Sequence, residues 1–230
     1  MLKKVWLYGA PFSGKTTFAT AAPEHYVLST DGNAQYSTNS YKVITDEVTV
    51  NGRITQRKFA WDVFKGEIEK LEAEHKYKTI VVDLVEDTYE MCRLYMYNKL
   101  GITHESDDSF RAWDKVRTEY LSTMRRLLNL PYDIVLLSHE DTSKDITKKS
   151  GENITAIKPN INDKVANKIA GMVALVARAV CENNDYQLQI RTDEVTFGGG
   201  RLGINNQTIP LDWNKVSELF ESKTPKTAKQ

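Results

Sequence analysis

Apolar positions along the chain come in compact blocks separated by stretches in which they recur every three or four residues. The block Val5-Trp6-Leu7-Tyr8 has the length and β-branched/aromatic content of a buried strand. Lys15–Ala22 follows as a helix, stopped by Pro23, which cannot continue it. Tyr26–Thr30 forms a second strand that closes on the turn signal Asp31-Gly32-Asn33. Val48–Val50 and Arg53–Thr55 flank Asn51-Gly52, which predicts a hairpin with a type I′ turn. Trp61, Phe64, Ile68 and Leu71 keep helical spacing and mark a helix ending near His75. Thr79-Ile80-Val81-Val82-Asp83 is a buried strand with an acid at its C-terminal end.

The second half repeats the alternation. A helix spans about Thr88–Leu100, followed by a polar stretch at Thr103–Ser109. Phe110, Trp113, Val116, Tyr120, Met124 and Leu127 lie on one face of a long helix. Asp133–Ser138 is another buried strand, and the polar segment Asp141–Asn160 is expected to be a mobile loop. A helix at Asn162–Ala170, a strand at Val173–Cys181, a turn at Asn183-Asn184 and a return strand at Tyr186–Ile190 follow. Gly198-Gly199-Gly200 is expected to be a flexible corner before a last helix, Trp213–Glu221. Strands alternating with helices give the fold class α/β: a mostly parallel central sheet, helices on both faces, and an antiparallel C-terminal hairpin at one edge. Residues 1–221 are expected to form one domain and 222–230 a flexible basic tail.

Composition changes this picture little. The chain is 40% hydrophobic, enough for a packed core and against a disordered chain. Its 31 Lys+Arg balance 31 Asp+Glu, so only a local basic patch could attract an anionic partner. The two cysteines, Cys92 and Cys181, have apolar neighbours and no CxxC spacing, and read as small buried hydrophobes of a reducing compartment. The N-terminal apolar block is too short for a signal peptide, and no apolar run is long enough to span a membrane. A cytoplasmic location, without membrane association, is the expectation.

The chemistry is concentrated at Gly9-Ala10-Pro11-Phe12-Ser13-Gly14-Lys15-Thr16, followed by Thr17. This is a GxxxxGK[ST] pattern between a strand and a helix, where its mechanism needs it. The glycines let consecutive backbone N–H groups face a phosphate chain. Lys15 is expected to reach the β- and γ-phosphates of ATP, and Thr16 to offer its hydroxyl to Mg²⁺. Asp83 ends a parallel strand on the side where α/β sheets bind ligands, and is the second expected Mg²⁺ residue. A strand, a hairpin and a helix lie between Lys15 and Asp83, which leaves room for another strand between theirs.

GAPFSGKTTFA, VLSTDGN, TIVVD, IVLLSHE and the late GGGR together resemble the RecA-like, AAA-type P-loop ATP-binding proteins of bacteriophages, including the Sak-type single-strand annealing proteins with a bare RecA-like core. The resemblance covers roughly residues 3–215. It implies a catalytic base after the second strand, where this chain has Asp31 in place of a glutamate, with Glu86 as the alternative base. It implies a γ-phosphate sensor at Ser138-His139, and a DNA-facing loop carrying Lys144, Lys148, Lys149 and Lys158. Asp141, Asp145 and Glu152 nearly offset those lysines, and the loop has no aromatic residue for base stacking. It also implies that Arg201 reaches a neighbouring subunit's nucleotide, in a homo-oligomeric ring or filament formed with ATP.

The leading functional expectation is an ATPase of phage DNA recombination or single-strand annealing that binds single-stranded DNA. Its partners would include a single-strand binding protein or another replication protein, and its location the host bacterial cytoplasm. A nucleotide-switched helicase loader or interaction protein is one alternative. A nucleoside or nucleotide kinase is another, although the chain offers no arginine-rich lid.

Overall fold

The computed structural model describes residues 1–103, 109–143, 145–147, 153–190, 195–204 and 207–223. In chain order it contains β1 (Lys4–Gly9), α1 (Lys15–Thr20), β2 (His25–Ser29), a 3-10 turn (Asn33–Tyr36), β3 (Tyr41–Val43), β4 (Glu47–Asn51), β5 (Ile54–Lys58), α2 (Ala60–Ala73) and β6 (Thr79–Asp83). Then come α3 (Val85–Leu100), α4 (Ser109–Leu128), β7 (Asp133–Asp141), β8 (Asp145–Thr147), β9 (Asn153–Thr155), β10 (Lys158–Pro159) and α5 (Asp163–Ala170). The chain closes with β11 (Leu175–Glu182), β12 (Asp185–Ile190), β13 (Gly199–Gly200), β14 (Gln207–Pro210) and α6 (Trp213–Lys223).

The main sheet has the order β14-β12-β11-β1-β7-β6-β2-β3. The pairs from β11 to β3 are parallel, whereas β12 and β14 add antiparallel strands at one edge. β7 lies between β1 and β6, so the space that the sequence left between the Lys15 and Asp83 strands is filled by the strand ending in Ser138-His139. This is the expected α/β P-loop fold.

Side-chain alternation along β1 explains the layers. Val5 and Leu7 join one core with Phe18, Trp213, Val216 and Phe220 of α1 and α6. Trp6 and Tyr8 join the other with Trp61, Phe64, Val116, Tyr120 and Ile169 from α2, α4 and α5. Each fully buried large apolar side chain contributes about 1.5–3 kcal/mol, so both faces of the sheet are strongly held. The buried Trp6 indole donates to Ser138 Oγ over 2.9 Å, locking β1 to β7 near the site. Among the described residues, no helix is long and apolar enough to cross a membrane.

Several local expectations need correction. The β4–β5 loop is Gly52-Arg53, because Asn51 pairs with Ile54, and only Gly52 (φ 62) has positive φ there. That is the φ signature of a type II′ turn. Two consecutive positive φ values occur instead at Asn183 (52) and Asn184 (63), between β11 and β12. The segment expected as a loop after Asp141 contains the antiparallel pair β8–β9, with Ile146 opposite Ile154, and β10 paired with β7. Three-residue strands are too short for a period-two pattern to register. Gly199-Gly200 is a strand against β11 rather than a flexible corner. Cys181 is exposed on the β11–β12 hairpin, not buried, while Cys92 is fully buried. The polar stretch at 104–108 and the tail from residue 224 lie outside the described residues.

Candidate functional site

The loop after β1 brings Gly9–Thr16 over the C-terminal end of the sheet. Lys15 is buried, and its ammonium donates to the carbonyls of Gly9 (2.9 Å) and Ala10 (2.7 Å) and, more weakly, to Ser13 Oγ (3.4 Å). Burial lowers its pKa, while Asp83, Glu86 and Glu140 act in the opposite direction. Gly14 has φ 84, and a Cβ there would lie 2.8 Å from the Tyr186 ring and 3.0 Å from Leu211, so both conformation and packing require glycine. No side chain caps the first turn of α1, whose amides face the loop. At the loop tip, Ala10 and Pro11 are exposed, and Phe12 is 96% exposed with φ 64. Thr17 follows on the exposed side of α1.

Thr16 and Asp83 meet below the loop. The Thr16 hydroxyl donates to Asp83 Oδ2 over 2.9 Å. Burial pushes the Asp83 carboxyl up to about 6; the Thr16 hydrogen bond and Lys15 oppose this, and the negative charges of Asp31 and Asp87 add to it. A buried carboxylate with like charges nearby is a site that a cation would relieve. Among the described residues no group of three or more His, Cys, Asp or Glu side chains could hold a metal ion by itself. The residues present fit an Mg²⁺ held jointly by Thr16, Asp83 and phosphate oxygens, which is what a Thr hydroxyl beside a strand-end carboxylate offers.

The two candidate bases differ in what their oxygens do. Asp31, exposed after β2, closes its own turn: Oδ1 accepts from Asn33 N (2.9 Å) and Ser29 Oγ (3.2 Å), and Oδ2 from Asn33 Nδ2 (2.6 Å). Glu86, in the first turn of α3, is 11% exposed, and its Oε1 accepts from the His139 backbone N–H (2.7 Å). His139 Nδ1 is also 3.1 Å from that oxygen. Glu86 Oε2 is buried without a hydrogen-bond partner. Burial pushes the Glu86 carboxyl up to about 7, against the hydrogen bonds from His139 and Ser138. His139 itself is lowered, by burial and then by Lys15. Its ring lines the cavity, whereas Ser138 is fully buried under Trp6.

Arg201 is elsewhere. Its backbone N–H donates to Ala174 O, and its guanidinium to Gly171 O. Ala174 precedes Leu175, which pairs with Val5 at the start of β1, so Arg201 sits at the opposite end of the sheet from its own phosphate loop. There it lines a cavity of about 300 Å³ with Lys4 and Arg125. Lys144, Lys148 and Lys149 lie outside the described residues. The Lys158 side chain is 14% exposed and ion-paired with Asp163, so it does not present a free ammonium to a phosphate backbone.

The loop opens into a cavity of about 1050 Å³, large enough for a nucleoside triphosphate. Its walls include residues that sequence reasoning did not single out: Asn33 and Tyr36 on one side, Tyr186, Leu211, Asp212 and Trp213 on the other. An ion pair was also missed. Arg178 of β11 grips Glu140 through Nε (2.8 Å) and Nη2 (3.2 Å), one strand from the phosphate loop.

A sequence profile described as an AAA domain matches residues 2–202. No curated protein matches the chain.

Proposed function

The chain belongs to the AAA domain family, and on that footing we propose that it is a magnesium-dependent ATPase whose turnover is coupled to single-stranded DNA, as in bacteriophage recombination or strand annealing. The observation that carries the nucleotide half is the 2.9 Å contact between Thr16 and Asp83 beside the buried Lys15 ammonium. Bound Mg²⁺ would offset charge on the transferred phosphoryl group. The chain's own residues do the rest. Lys15 can exchange neutral carbonyl acceptors for charged phosphate oxygens, which form stronger hydrogen bonds.

Glu86 is the less engaged of the two candidate bases, set behind His139, while Asp31 lines the cavity wall. Asp31 has both oxygens engaged in its turn, and this supports Glu86 over the order suggested by sequence position. Glu86 has one oxygen fixed by His139 and the other unpaired. A carboxylate with pKa near 7 accepts a proton at neutral pH with little mismatch. In hydrolysis, water oxygen would bond to the γ-phosphorus as the bond to the β–γ bridging oxygen breaks, and the water proton would pass to the Glu86 carboxylate, whose buried Oε2 water must first reach past His139. A γ-phosphate would be sensed at His139, because His139 touches Glu86 and heads the strand end that leads towards Lys144–Lys149.

The DNA half rests on that connectivity. ATP hydrolysis is to be measured with and without single-stranded DNA, for wild type and Lys15→Ala. Stimulation by DNA, absent in Lys15→Ala, is the expected result. No stimulation, together with a monomer by light scattering in ATP, overturns the DNA half. Phosphate transfer to a nucleoside would replace it with a kinase.

A further inference from the structure

The cavity has two ends, and the sheet order tells them apart. Thr16 reaches towards β6, where Asp83, Glu86 and His139 gather; β7 and β6 lie on one side of β1. In this motif the lysine reaches the β- and γ-phosphates and the threonine holds the Mg²⁺ beside them, so the γ end points to that side. Asn33 and Tyr36 also lie on that side, after β2. The nucleoside must then leave the loop in the other direction, over Gly14 and Thr17 towards β12 and β14.

That end is walled by an aromatic ring with an open face. Tyr186 is the second residue of β12 and is 43% exposed, yet its ring atoms lie 2.8 and 3.2 Å from where a Gly14 Cβ would be. Leu211 approaches the same point to 3.0 Å, and its backbone N–H donates to Tyr186 O over 2.9 Å, which fixes the two side by side. Behind them Trp213 packs on Phe18 of α1 with ring centroids 5.7 Å apart. The wall is thus apolar at Tyr186, Leu211 and Trp213 and directly adjacent to the phosphate loop.

We propose that the Tyr186 ring, backed by Leu211, is the platform on which the base of the bound nucleoside triphosphate stacks. The proposal rests on the reading of the cavity as a nucleotide site. A planar base covers the exposed ring face and removes apolar area from water, and stacking tolerates any base but favours the larger purines. The hairpin β11–β12 and strand β14 would then be part of the nucleotide site, and not only an edge of the sheet.

The test compares two probes on the full chain by titration calorimetry: Mg-ATP, and magnesium tripolyphosphate, which has the phosphates without a base. Tyr186→Ala is expected to weaken Mg-ATP about tenfold and to change tripolyphosphate affinity less than twofold, and Tyr186→Trp to restore Mg-ATP binding. Unchanged Mg-ATP affinity in Tyr186→Ala overturns the proposal. So does an equal loss for both probes, which would mean that the ring only supports Gly14. Wild-type protein that binds neither probe overturns the nucleotide reading itself, and this proposal with it.

Discussion

The Thr16 hydroxyl donates to the Asp83 carboxylate over 2.9 Å, although the two are 67 positions apart. One follows the phosphate loop and the other ends β6, and β7 separates their strands. Asp83 is 4% exposed, so its charge is held out of water. Such an arrangement is costly without a cation and favourable with one.

Asp83→Asn is therefore expected to uncouple nucleotide from metal. ATP affinity in wild type should rise at least tenfold on adding Mg²⁺, as one charge-assisted contact of about 1.5–3 kcal/mol implies. In Asp83→Asn the gain should fall below about threefold by calorimetry, a residual of under about 0.7 kcal/mol. Lys15→Ala should lower affinity with or without Mg²⁺. Because the substitution removes a buried charge, Asp83→Asn should melt no lower than wild type in the absence of nucleotide.

The Glu86 environment sets a pH dependence. His139, Lys15, Asp87 and Tyr120 are titratable groups that interact with it, and burial dominates, moving it from 4.5 to about 7. A proton acceptor must be deprotonated, so hydrolysis should rise as pH passes through about 7. Glu86→Gln should flatten that profile and cut turnover about 10²–10⁴-fold while ATP still binds. Stability runs the other way. The folded state holds this proton more tightly than the unfolded one, so stability should fall as pH rises from about 4.5 to 7, by up to about 3 kcal/mol from Glu86, and Glu86→Gln should remove that share and leave the part due to the raised Asp83. Asp31→Ala should lower turnover far less than Glu86→Gln, since both Asp31 oxygens serve its turn.

Arg201 lies at the far end of the sheet from its own phosphate loop. Arg201→Ala should leave ATP affinity within about twofold of wild type, because no monomer contact reaches the nucleotide; a loss of tenfold, or about 1.4 kcal/mol, would contradict that. A role in a neighbour's site is read by mixing: hydrolysis should recover when Arg201→Ala subunits meet Lys15→Ala subunits, and its failure to recover rules that role out.

Gly200 offers a test of packing. A Cβ there would lie 2.4 Å from Ala174 O, a backbone atom that cannot move alone. Gly200→Ala should destabilise the fold by about 1–3 kcal/mol in denaturant titration. A neutral substitution would mean that β13 is not held against β11 as described.

How much of this was legible in advance follows from the range over which each signal acts. β1, β6 and the long α4 announce themselves through local periodicity, and Gly9–Thr16 through a motif whose residues do their work within one turn of chain. Those signals fixed the fold class and the phosphate site from the chain alone. They failed where pairing is long-range or elements are brief: β8 and β9 have three residues each, and the Gly52-Arg53 register depends on Asn51 meeting Ile54. The ordering of Asp31 and Glu86 was likewise not local. Position after β2 points to Asp31, but only the folded chain shows Asn33 and Ser29 using its oxygens and His139 holding Glu86. Tyr186 and Leu211 carry no motif, and reach Gly14 only because β12 and β14 pair at the sheet edge. The sequence determined the GxxxxGK[ST] loop and its place between a strand and a helix, because backbone geometry around glycines is a local property. How deeply each acid is buried, and which ring stands beside the glycine loop, only the tertiary structure decided, because burial and contact depend on residues far apart in the chain.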